Sequence, residues 1–79
     1  MNEKTILEQR IDDGLGKLTD RHEFMLNLYR ERYLNAKAAH DKDEMWVHGN
    51  AIHAYLTALK DCDILTTDNV DYIYFHYTR

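Results

Sequence analysis

Seventy-nine residues make one domain, near the lower end of what folds alone. Cys62 is the single cysteine, which excludes an intrachain disulfide framework and fits a reducing compartment, and no apolar run approaches the roughly 18 residues of a membrane span. The net charge of −4 falls wholly in the second half, since residues 1–40 carry seven bases and seven acids while residues 41–79 carry three bases and seven acids, so direct nucleic-acid binding, which needs positive surface, is not expected.

The stretch MNEKTILEQR carries acids where a secretion signal would carry a basic n-region and an apolar core. The expected location is therefore the cytoplasm. Proline is absent, and proline costs about 3 kcal/mol inside a helix. The glycines are Gly14, Gly16 and Gly49, too few for an all-β domain rich in tight turns. The chain is expected to be one all-α domain over residues 1–79. Its form is a small bundle, with a long antiparallel helical hairpin and short N- and C-terminal helices.

In chain order, Ile11, Leu15, Leu18, His22, Met25, Tyr29 and Ala36 follow 4-3 steps, with Tyr33 flanking them. Such a stripe is the seam of a helix packed on another helix. Gly14 and Gly16 interrupt it, each at about 1 kcal/mol relative to alanine. One reading is a continuous helix from about Thr5 to Ala39. The preferred reading is a short helix over Thr5–Asp13 and a long one over Asp20–Ala39, capped by Thr19 or by Asp20 with Glu23.

Asp41 and Glu44 have capping-box spacing, and a helix should run from about Asp43 to Asp61. Its stripe is Met45, Gly49, Ile52, Leu56 and Leu59, with Gly49 placed to let a facing helix come close. Trp46, beside the stripe, leans towards the core. The short connection makes an antiparallel hairpin of the two long helices. Ile64 and Leu65 should return the chain to the core, and Thr66 or Thr67 should cap a last helix. Asp68 and Asp71 suit the positive end of its dipole. Val70–Tyr77 is rich in β-formers, but no other segment reads as a strand to pair with it, so helix is expected.

The segment YLTALKDCDILTTDNVDYIY, through Leu59, Lys60, Ile64, Leu65 and Thr66, resembles the helix–turn–helix of short C-terminal (SHOCT-like) modules and of many small phage proteins. Asp63 stands where that pattern usually has glycine. In size and style the whole chain resembles small helical accessory proteins of phages and mobile elements, the anti-CRISPR and other anti-defence proteins. That resemblance implies an inhibitor of a host or defence protein.

The residues themselves point away from catalysis and metal binding. His48 and His53 are five apart and face different ways on a helix, while Glu44 and His48 at i,i+4 make a surface pair rather than a site. Asp41–Glu44 lacks the spacing of a calcium loop. Cys62 sits between Asp61 and Asp63, which oppose thiolate formation, and His22 on the seam reads as a packed histidine. Gly14–Gly16 lacks the remainder of a phosphate loop. No cofactor is expected.

Binding is the better-supported class. Tyr72, Tyr74, Phe75 and Tyr77 point nearly all round one short helix, so they are either sandwiched in the fold or turned to a partner. The expected contact surface is acidic and aromatic: Trp46, Asp61, Asp63, Asp68, Asp71, Tyr72, Phe75 and Tyr77. An alternative is an oligomer that sequesters a cyclic nucleotide or ADP-ribose-type signal through Tyr29, Arg30, Arg32 and Tyr33. A third is a small structural or regulatory adaptor. Self-association, most simply a homodimer, would supply stability that so short a chain lacks.

Overall fold

The computed structural model describes residues 5–79, so Lys4 and the rest of the first four residues lie outside it. The chain forms four helices: α1 Ile6–Leu15, α2 Asp20–Ala38, α3 Lys42–Asp61 and α4 Thr67–Thr78. No strand occurs among the described residues, and the all-α bundle is the expected class.

Every helix begins with the same device, a side-chain oxygen that accepts the N–H three residues on. Thr5 accepts from Glu8 (3.1 Å), Thr19 from His22 (3.2 Å), Asp41 from Glu44 (3.2 Å) and Thr66 from Asn69 (3.1 Å). Each satisfies a backbone donor that the helix itself leaves open. At Thr19 and Thr66 the bond is returned: His22 Nδ1 and Asn69 Oδ1 accept from the cap N–H groups. Asp41 and Glu44 do not complete the reciprocal box, because Glu44 Oε2 turns to His48 Nε2 at 3.0 Å instead.

The ends of α2 and α3 share a second device. His40 and Asp63 take left-handed backbone, φ 55 and 61. Asp41 N–H then reaches Ala36 O, and Ile64 N–H reaches Leu59 O. These are the paired bonds of a Schellman stop, in which glycine normally takes the left-handed place. The turn after α3 sends Ile64 and Leu65 back onto the core, as their sequence position suggested.

The core is built by α2, α3 and α4. Leu26, Ile52, Leu56 and Ile73 are fully buried at its centre, with Leu59, Leu65, Val70 and Tyr77 around them. The α3 stripe holds at Gly49, Ile52, Leu56 and Leu59, all buried, while Met45 at its start is half-buried. The α2 stripe holds at His22, Tyr29 and Ala36, with Tyr33 beside it, but Leu26 rather than Met25 is the fully buried residue between them. Tyr29 meets Tyr55 edge-on at 6.0 Å, and Tyr33 lies over Gly49.

Two glycines have opposite roles. A Cβ at Gly14 would lie 2.7 Å from Ile73 Cδ1 and 2.9 Å from Cγ1, inside contact distance of a side chain with no exposed surface. Gly14 is therefore what lets α1 close onto α4. A Cβ at Gly49 would meet the Tyr74 hydroxyl at 3.5 Å and the Tyr33 ring at 3.6 Å, ordinary contacts, so Gly49 is not needed for a close helix approach. The two alanine variants should separate in urea titration. Gly14→Ala loses on the order of 1–2 kcal/mol by overpacking, and Gly49→Ala gains up to about 1 kcal/mol from helix propensity. Equal stability of the two would show that the α1–α4 approach is not limited by sterics.

Candidate functional site

The face of α4 that meets solvent is set by what its other faces bury. Asn69, Val70, Ile73 and Tyr77, at steps of one, three and four, point inward. Tyr74 turns towards α3, its ring edge-on to His53 at 5.4 Å. Asp68, Asp71, Tyr72 and Phe75 are left on one outward face, spaced i, i+3, i+4 and i+7.

The rotation of α4 is fixed by Asn69, the one buried polar side chain among the described residues. Its Oδ1 accepts from Lys17 Nζ (2.7 Å) and from Thr66 N (3.0 Å), while its Nδ2 donates to Asp13 Oδ2 (3.1 Å). Lys17 and Asp13 lie 3.9 Å apart and complete the cluster. Beyond it, Arg10 donates to the Tyr72 hydroxyl and lies over the Tyr72 ring, 5.4 Å from its centroid. That hydrogen bond raises the Arg10 pKa further and keeps it a cation.

With α1 held in this way, Leu7 joins Asp68, Asp71, Tyr72 and Phe75 around a groove of about 410 Å³. Ile6 is 70% exposed and Phe75 46% exposed. Arg79 lies over the outer ring of Phe75, 5.6 Å from its centroid. The groove thus has an apolar floor between two carboxylates, with Arg10 and Arg79 drawn back over the rings. Next to it, a polar cavity also of about 410 Å³ is lined by Gln9, Arg10, Asp13, Lys17 and Asn69, among others. Its cations are already bonded to Tyr72 and Asn69.

The remaining sequence candidates are distributed elsewhere. Trp46 is 72% exposed, which corrects its leaning to the core. The α3 stripe turns inward one residue away, and Trp46 instead lines a separate groove with Tyr33, Met45, Gly49, Asn50 and Tyr74. Asp61 and Asp63 are exposed at the end of α3. Tyr77 is 5% exposed and packs in the core; burial, then the charge of Glu23, pushes its phenol pKa up. The aromatic tail is therefore divided, with Tyr77 spent on the fold and Tyr72 and Phe75 on the surface.

Tyr29, Arg30, Arg32 and Tyr33 do not converge. Tyr29 and Tyr33 pack towards α3, and Arg32 lines a groove with Asp41, Glu44 and His48. Arg30 lies near enough to His76 to oppose its protonation. No group of three or more His, Cys, Asp or Glu residues is placed to hold a metal among the described residues, and no described helix is long and apolar enough to cross a membrane.

Sequence reading missed the contribution of α1. Ile6 and Leu7 are both exposed, and they are adjacent apolar residues that precede the stripe beginning at Ile11. That is the signal by which an exposed apolar edge could have been found.

The chain matches no family model, and comparison with curated proteins and with solved structures finds no similar chain.

Two stability measurements check the framework of this site. Asn69→Ala should cost about 2–3 kcal/mol, because a cap bond and a buried three-partner network are lost together; Lys17→Met should cost less, about 1 kcal/mol, since Asn69 Oδ1 keeps the Thr66 N–H and the Lys17 pair with exposed Asp13 is a weak surface contact. His76 is held below its ordinary value of 6.5 by burial first, then by Arg79 and Arg30. The unfolded chain therefore takes up this proton more readily than the folded one. The stabilising contribution is present above pH 6.5 and is lost as pH falls through that value towards the folded pKa. Thermal unfolding from about pH 7.5 to about pH 5.5 should show a smaller fall in Tm for His76→Gln than for the wild-type chain. Parallel curves would remove His76 from the account.

Proposed function

We propose that this chain is a non-catalytic binding protein that occludes the surface of another protein through its α1–α4 face. The observation that carries the reading is the convergence of Leu7, Tyr72 and Phe75 between Asp68 and Asp71. Large apolar side chains left on one concave face, with aromatics among them, are the composition of an interface centre. The flanking carboxylates would steer a basic partner surface and add to the rate of association more than to its final strength. The resemblance to small phage inhibitors gives the biological form: a host or defence protein blocked in the cytoplasm of a host cell.

The proposed contact is narrower than the acidic and aromatic half-chain expected at the outset. It keeps Asp68, Asp71, Tyr72 and Phe75, adds Leu7, and leaves Tyr77 to the core and Trp46 to a separate groove.

Once a partner has been captured from host extract and purified, titration calorimetry can place the contact. Phe75→Ala with Tyr72→Ala should weaken binding by about a hundredfold, which is the range of two lost aromatic contacts. The circular dichroism of the variant should be unchanged. Asp68→Asn with Asp71→Asn should slow association and flatten its salt dependence. Full affinity in the aromatic double variant, with loss of affinity on Trp46→Ala, would transfer the contact to the other groove.

A further inference from the structure

Of the other three helices, α1 packs on α4 alone. Its attachment consists of Ile73 against Gly14, Asp13 with Asn69, and Arg10 with Tyr72. The connection to α2 is residues 16–19. Gly16 has helical backbone, φ −65 and ψ −16, and Lys17 and Leu18 continue turn bonds to Gly14 and Leu15, each 3.1 Å. Thr19 is extended, φ −80 and ψ 166. The stripe Ile11, Leu15 and Leu18, continued by the packed His22, nevertheless runs through this link in helical spacing. This spacing is compatible with one continuous helix, against the cost of Gly16 in its interior, and the docking of α1 and the cap at Thr19 hold the link bent.

We propose that α1 is exchanged between two copies of this chain. Residues 16–19 become helical, α1 and α2 fuse into one helix over residues 6–38, and α1 of each copy docks on α4 of the other. The partner is a second copy, and the surface it fits is the α4 face of Asn69, Tyr72 and Ile73. A helix of that span is roughly 50 Å long at 1.5 Å per residue, enough to carry α1 clear of a bundle whose longest extent is 37 Å. Every α1–α4 contact of the closed chain is made again between subunits, as in domain swapping generally. The exchange gives up the Thr19–His22 box and the closed-link position from which Lys17 reaches Asn69 at 2.7 Å, and it gains backbone bonds across the former link. It stands independently of the proposed function.

Light scattering coupled to size exclusion, over micromolar to millimolar chain, reads the equilibrium in two variants. Thr19→Ala removes the cap from the closed form and favours the continuous helix. It should tighten dimerisation on the order of thirtyfold, with one cap lost in each of two subunits. Thr19→Pro cannot continue the helix and should be monomeric. If it does not fold, Thr19→Gly, which remains a fair cap but a poor helix former, should dimerise more weakly than Thr19→Ala.

The exchange itself is read by cross-linking. Gln9 and Asp68 line one cavity, so Gln9→Cys and Asp68→Cys chains, each also Cys62→Ser, are refolded together and treated with a short bismaleimide. A covalent pair of unlike chains is expected, and the same pair carrying Thr19→Pro or Thr19→Gly should lose it in proportion to its dimer. A monomeric Thr19→Ala over the whole range would overturn the proposal. So would a dimer whose cross-link is indifferent to residue 19, which is the mark of two closed chains side by side.

Discussion

The amide of Asn69 is the constraint on which the outer architecture depends. It is 4% exposed, and a buried amide without partners costs about 1–3 kcal/mol. Its oxygen uses both acceptor positions, on Lys17 and Thr66, and its nitrogen reaches Asp13. These partners come from the start of α4, the end of α1 and the link between α1 and α2. One side chain therefore closes a cap, sets the rotation of α4 and secures α1. Turning α4 by one residue would bring Asp68 or Val70 to this place, and neither could replace the amide. An aspartate would set a second carboxylate against Asp13 and could not donate. A valine would leave all three partners open.

The same constraint explains why so short a chain keeps aromatics on its surface. Once Asn69, Val70, Ile73 and Tyr77 are fixed inward, helical spacing alone leaves Tyr72 and Phe75 outside. Their rings are partly covered by Arg10 and Arg79, the kind of contact worth about 0.5–1 kcal/mol at an exposed site. Arg10 is held further by its hydrogen bond to the Tyr72 hydroxyl, and the carboxylates of Asp68 and Asp71 line the groove beside these rings.

Much of the framework was legible in the sequence because it rests on local chemistry. Thr19, Asp41 and Thr66 all stand three residues before a donor they cap, and the α3 stripe from Gly49 to Leu59 reads directly as its inward face. What was not legible depends on partners far along the chain. Met25 and Leu26 are both apolar, and the choice between them follows from how α3 and α4 pack against α2. The role of Gly14 appears only with Ile73 beside it, nearly 60 residues away by subtraction of their numbers. Asn69 looks in sequence like a cap-proximal polar residue, and nothing local announces that Lys17 and Asp13 will bury it. The groove is of the same kind: Phe75 and Asp71 could be named from α4, whereas Leu7 could not, because α1 and α4 are the first and last elements of the chain.

That origin has a consequence for any activity the groove supports. Its lining is shared between α1 and α4, so its integrity depends on the contacts that dock α1, the Asn69 cluster and Ile73 against Gly14. Loss of α1 docking would abolish the groove while leaving Leu26, Ile52, Leu56 and Leu59 packed. Exchange of α1 between chains would instead preserve it, since the same side chains meet in the same geometry. Each groove of such a dimer would be composite, and two grooves would be tied together by a pair of long helices. A partner with two matching surfaces would then be held with an effective concentration set by helix length rather than by diffusion. A closed monomer offers its single groove with no such gain. Under that exchange, the conformation of residues 16–19 would decide how many such faces one particle presents.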